Sequence, residues 1–117
     1  MVAGEPDKSL SQLRRGVLPH CVLAALADEE RYGFDLVKVL ADTPDFAISE
    51  GTVYPLLARL RRDGLVETTW RESDAGPPRR YYRLTDAGAL ALDRFRLDWR
   101  GFRLAVDDLL GTGGARR

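Results

Sequence analysis

Between Ser49 and Gly64 the sequence SEGTVYPLLARLRRDG carries hydrogen-bond donors and positive charges at a spacing that suits a polyanion. Thr52 and Tyr54 bring hydroxyls; Arg59, Arg61 and Arg62 bring guanidiniums. At about 100° per residue, Val53, Leu56, Leu57 and Leu60 share one apolar arc of a helix, and Gly51, Pro55, Ala58 and Arg62 fall opposite. Long solvated side chains normally cover such an outward face. Here it is low and smooth, with donors along its borders, so a large anionic partner can come close. Hydroxyls and guanidiniums of this kind bond phosphate oxygens and base edges, which makes duplex nucleic acid the partner implied.

Charge supports this once it is read locally. Over 117 residues the formal net charge is zero, but Arg59 to Arg83 holds seven arginines against Asp63, Glu67, Glu72 and Asp74, an excess of three. The first 48 residues run the other way, with five bases against eight acids. The local field, not the total, steers a polyanion. Other chemistry is thin. His20 and Cys21 are the single histidine and the single cysteine, adjacent in an apolar run, and two ligands fall short of a zinc site's usual four. No spacing places a nucleophile, a base and an orienting group together, so no catalytic residue, metal or cofactor is expected. With no apolar run of about 18 residues and no secretory signal, a soluble cytoplasmic protein is expected.

The elements that position the donors follow from pattern. A first helix is expected from near Gly16 to Leu18 through Ala27, with Pro19 in its opening turn, and the preceding SLSQLRR is a candidate for a separate helical turn. The segment RYGFDLVKVLADTP reads as a second helix with Phe34, Leu36, Val37 and Leu40 on its apolar face. Ser49 is a candidate N-cap for the third helix, with Thr52 competing for that role, Pro55 points to an irregular first turn, and Gly64 closes it in the left-handed region. LVETTWRE and RRYYRL then form a β-hairpin around the turn residues SDAGPP, with one of Tyr81 and Tyr82 in the core. Thr85 caps a long helix running to about Leu110. This order predicts a mainly α fold with a small β-hairpin: a winged helix-turn-helix plus one long C-terminal dimerisation helix. The domain boundaries expected are an N-terminal extension over 1–15, a DNA-binding domain over 16–85, a dimerisation helix over 86–110 and a tail over 111–117.

In this arrangement the third helix enters the major groove. Ser49, Gly51, Thr52, Tyr54 and Pro55 lie nearest the bases, Arg59 and Arg62 reach for the backbone, and Arg79 and Arg80 for phosphates or an adjacent minor groove. On the last helix Phe95, Trp99, Phe102, Val106 and Leu109 recur every 3.5 residues on average, the period of a two-helix seam. A second copy of the chain is the simplest partner, and a two-fold dimer suits a pseudo-palindromic site with half-sites roughly 34 Å apart. The aromatic residues either pack on the partner or line a gap in which Trp99 stacks a flat ligand, with Arg96 and Arg103 one turn to either side.

Together the segments YGFDLVKVL, SEGTVYPLLARLRRDGLV and GPPRRYYRLTDAG, with Trp99, resemble the PadR-like transcriptional regulators over residues 16 to 110. The resemblance implies a bacterial homodimeric repressor released from DNA by an effector. With its single C-terminal helix, the chain is similar to the short, multidrug-responsive subfamily, in which a tryptophan of the last helix stacks drugs at the dimer interface. That resemblance assigns effector binding to Trp99 with Leu18 and Val22 of the first helix; the stripe adds Phe95, Phe102 and Val106, and Arg103 is the charged neighbour one turn from Trp99. Pro19 and Arg103 depart from the family pattern. The alternative is a winged-helix module whose smooth face binds protein.

Overall fold

The computed structural model describes residues 8–72 and 76–113. Residues 1–7, 73–75 and 114–117, which belong to the expected N-terminal extension, hairpin tip and tail, lie outside it. In chain order the elements are α1 (Lys8–Ala25), β1 (Arg31–Tyr32), α2 (Gly33–Ala41), α3 (Glu50–Arg62), β2 (Val66–Arg71), β3 (Arg79–Leu84) and α4 (Asp86–Leu110). This is a winged helix-turn-helix with a long C-terminal helix.

One core joins them. Leu18, Val22, Leu23 and Leu26 meet Leu36, Val37 and Leu40 of α2 and the whole apolar arc of α3, closed by Val66, Tyr82 and Leu92. α1, α2 and α3 each contribute the stripe their periodicity marks, because burial of that stripe is what stabilises a short helix in water, whereas α4 gives the core Leu92 and leaves most of its aromatic stripe outside it. Phe34 is the exception: it stands exposed on α2.

Two helix starts differ from expectation. α1 begins at Lys8, not near Gly16, and runs through Pro19 without a break. Pro55 likewise lies inside a regular α3 rather than in an irregular turn. A proline deprives the carbonyl four residues back of its donor, here at Arg15 and Gly51. Both residues are exposed, so water can serve those carbonyls.

The sheet has order β1-β3-β2, antiparallel throughout. β2 and β3 form the expected hairpin, with Val66 opposite Leu84 and Arg71 opposite Arg79. β1 is a third strand that the sequence pattern does not announce, pairing Arg31 with Tyr82 and Tyr32 with Tyr81. Two residues are too few to show a period of two, and RYG reads naturally as the approach to a helix.

The end of α3 and the start of α4 are built as one joint. Gly64, at φ 78°, ends α3 with its N–H on the Arg61 carbonyl at 3.0 Å, and Leu65 N–H reaches the Leu60 carbonyl at 3.0 Å, the paired bonds of a Schellman motif. Thr85 then caps α4 by accepting from Gly88 N–H at 3.0 Å, and its hydroxyl donates to the Gly64 carbonyl at 2.6 Å. A Cβ on Gly88 would collide with the carbonyl oxygen of Leu65, the residue before β2, so only glycine lets α4 start this close to the end of α3.

Candidate nucleic-acid interface

The exposed side of α3 is a ridge with two flanks. Gly51, Pro55, Ala58 and Arg62 form the crest, all exposed. Gly51 has no neighbour nearer than 3.7 Å to where a Cβ would stand, so nothing inside the protein requires glycine there. Ser49 occupies the N-cap position with extended backbone, and its carbonyl accepts from Thr52 and Val53 N–H at 3.0 and 3.1 Å. Its hydroxyl makes no capping bond, in contrast to the expected cap.

Tyr54 leaves the crest toward the wing. Its ring lies over Gly33, where a Cβ would come within 2.5 Å of Cε1 and 2.8 Å of the hydroxyl. Burial first, then the nearby charges of Glu50 and Tyr82, hold its pKa above the ordinary value of 10, so the phenol remains a donor at neutral pH. Beside it Arg79 sits over the Tyr32 ring at 4.4 Å and Arg80 over Trp70 at 5.0 Å. Cations over ring faces keep their charge and lose some of their freedom. Tyr32, Phe34, Tyr54, Arg79 and Arg80 thus line one valley of about 520 Å³ between α3 and the wing. Tyr82 is the core member of its pair, and Tyr81 carries Arg71 over its ring at 4.6 Å.

The arginines divide into two sets. Arg71 and Arg83 are held by Glu30, and Arg83 also by Glu67 at 2.8 Å; they brace the sheet. Arg59, Arg61, Arg62, Arg79 and Arg80 take part in no ion pair among the described residues. Asp63 and Glu72, the other carboxylates within reach in sequence, neutralise none of them there. Sequence reasoning counted Arg61 only as charge and missed the ring platforms Tyr32 and Trp70. The alternation of RYG and TTWR with arginine is the signal that could have found the rings.

The expected effector residues are brought together only in part. Phe95 stacks between His20, at 4.0 Å and 1°, and Trp99, at 6.3 Å and 14°. Trp99 and Phe102 are exposed at 41% and 63%, and Val106 is half-buried. Arg103 pairs with Asp107 at 3.5 Å, and Arg96 with Asp93 at 3.3 Å. Leu18 and Val22 do not join this group. At 5% and 0% exposure they are core residues, and Leu18 reaches the surface only at the groove between α1 and α3. Cys21 is a half-buried thiol whose pKa burial pushes up, which makes it a poor nucleophile. Among the described residues no group of three or more His, Cys, Asp or Glu could hold a metal, and no helix is long and apolar enough to cross a membrane.

Known proteins share this build. A transcriptional regulator of Mycobacterium tuberculosis, Rv3488, is 37% identical over 74% of this chain and 79% of its own length. The crystal structure of a PadR-like transcriptional regulator from Bacillus cereus superposes with a TM-score of 0.78 at 38% identity, covering 85% of this chain and 96% of that one. A PadR family regulator from Eggerthella lenta gives 0.78 at 39%, covering 90% and 91%. The sequence model of the Transcriptional regulator PadR-like family matches residues 22–94, from α1 through the wing into α4, and the chain belongs to that family of transcriptional regulators.

Proposed function

We propose that the protein is a homodimeric repressor that grips a pseudo-palindromic duplex operator in the cytoplasm and lets go when a flat aromatic effector binds between its two α4 helices. Members of the family bind DNA and typically dimerise. The observation that carries the DNA reading is the division of the arginines between Arg59 and Arg83: Arg71 and Arg83 are paired with carboxylates, and Arg59, Arg61, Arg62, Arg79 and Arg80, with no ion pair among the described residues, stand on α3 and at the root of the wing. Thr52 and Tyr54 donate to bases or phosphates near the start of α3, beside Ser49, Gly51 and Pro55. Arg59 and Arg62 hold the backbone, and Arg79 and Arg80 reach phosphates or the adjacent minor groove. Residues 16–85 form the DNA-binding unit, and 86–110 the dimerisation helix.

Two further supports come from α4. Its aromatic stripe from Trp99 onward is exposed in the protomer, which is what a surface awaiting a second copy looks like. At its other end the Thr85 hydroxyl is bonded to the residue that terminates α3, so a change in the angle between two α4 helices is transmitted to the recognition helices. An effector at Phe95, Trp99, Phe102, Arg103 and Val106 would act through that joint.

The test is binding to a duplex from upstream of the protein's own gene, against a scrambled duplex of equal length, across a salt series. Selective binding with a steep fall of log K against log salt is expected. Shallow or equal binding to both would favour a protein partner for the smooth face. A ligand that quenches Trp99 fluorescence yet leaves DNA affinity unchanged at fixed salt would remove the coupling.

A further inference from the structure

The wing serves only one flank of α3. On the other flank Thr52 and Arg59 face α1 across a groove of about 400 Å³, to which α1 contributes Ser11, Arg14 and Arg15. Arg14 Nε donates to the backbone carbonyl of Asp45 at 2.6 Å. That bond fixes the guanidinium at the turn between α2 and α3, where Asp45 and Ala47 hold φ values of 69° and 49°. Its two terminal nitrogens, and all of Arg15, have no ion pair among the described residues. The acidic excess of the first 48 residues conceals this region, because from Lys8 to Ala27 there is no carboxylate at all.

A helix in the major groove of B-DNA has a phosphate backbone on each side, the groove being about 12 Å wide. Resting on the reading that α3 enters that groove, we propose that the N-terminal half of α1 is a second jaw of the interface. Arg14 and Arg15, with Arg59, hold the phosphates of the strand on the α1 side of α3. Arg79 and Arg80 hold those of the opposite strand. Two basic valleys with a smooth ridge between them match two anionic rails with a groove between them. The extension of α1 back to Lys8 is what builds the second valley: a helix starting at Gly16 would lack both arginines.

The experiment compares wild type, Arg15→Gln, Arg14→Gln/Arg15→Gln and Arg79→Gln on a random-sequence duplex of about 40 base pairs across a salt series. Arg15 is exposed and makes no ion pair among the described residues, so Arg15→Gln leaves the fold intact even if removal of the Arg14–Asp45 bond loosens the double variant. Each arginine withdrawn from a phosphate should lower the slope of log K against log salt by about 0.9, so the slope of the α1 double variant falls by up to about two. Arg15→Lys should restore the slope, since a point charge suffices for a phosphate. Ethylation interference should then map the phosphates released by the α1 and wing variants to opposite strands. An unchanged slope in the α1 variants beside a lowered slope in Arg79→Gln would overturn the second jaw and leave the DNA reading standing. Salt-insensitive binding by the wild type would overturn both.

Discussion

The winged-helix body and the far half of α4 draw on the same apolar residue types and use them in opposite ways. In the body Leu23, Leu36 and Leu57 are all at 0% exposure; on α4 beyond Trp99, Phe102 stands at 63% and Leu109 at 89%. The helix itself crosses the border. Gly88 and Leu92 are buried, Phe95 is half-buried, and from Trp99 onward the stripe is exposed except at the half-buried Val106 among the described residues. The difference separates two kinds of stability: the body satisfies its core internally, whereas burial of the exposed stripe by association would depend on concentration.

The strongest test of that division pairs one leucine from each side. Leu57→Ala should lower the unfolding free energy by about 2–5 kcal/mol in urea denaturation. Leu109→Ala should change it by under about 0.5 kcal/mol at dilutions where protomers are apart, while sedimentation shows weaker self-association. Equal costs for the two would erase the distinction. Gly88→Ala comes next. Its methyl group meets a backbone carbonyl that cannot rotate away, and a loss of about 1–3 kcal/mol is expected. Thr85→Val removes the oxygen that caps α4 and ties it to Gly64, and should cost about 1–2 kcal/mol, with Thr85→Ser recovering most of it.

Gly51 gives the opposite sign. It stands in open space in a helix, so Gly51→Ala should raise stability by about 0.5–1 kcal/mol and lower affinity for duplex DNA, where the added methyl stands on the crest. A variant that gains stability and keeps full affinity would show that the smooth crest has no bound partner close to it.

The parts legible in the sequence are those with a long pattern or a distinct local signal. The apolar arc of α3, the Gly64 stop, the Thr85 cap and the end of α4 at Leu110 all carry one, and the structure has each in place. What sequence reading missed depends on distant neighbours. Nothing near Arg71 and Arg83 in the chain says that Glu30 will hold both, since that pairing depends on β1 joining the sheet edge. Pro19 marked a false start for α1, because the cost of a proline depends on whether its orphaned carbonyl is wet, which only the fold decides. For the candidate site the donors were legible by type, but which arginines are unoccupied was not.

The smallest expected effect sits where the two regions meet. The His20 ring on α1 lies flat against Phe95, the first member of the α4 stripe, with Nδ1 buried and unpartnered among the described residues. Burial lowers its pKa below the ordinary 6.5, because a charged imidazolium loses solvation there and a protonated Nδ1 would have no acceptor. Between that lowered value and 6.5 the unfolded chain holds more protons than the folded one, so stability is lost as pH falls through this window; well above 6.5 neither form is protonated and the group has no effect. A variant without the imidazole isolates this contribution. Thermal unfolding of wild type and His20→Phe at pH 7.5 and 5.5 should show the wild type losing more on acidification. Parallel losses would mean that the seam between body and helix holds the charged ring as well as the neutral one. The His20–Phe95 stack would then be a contact of shape alone.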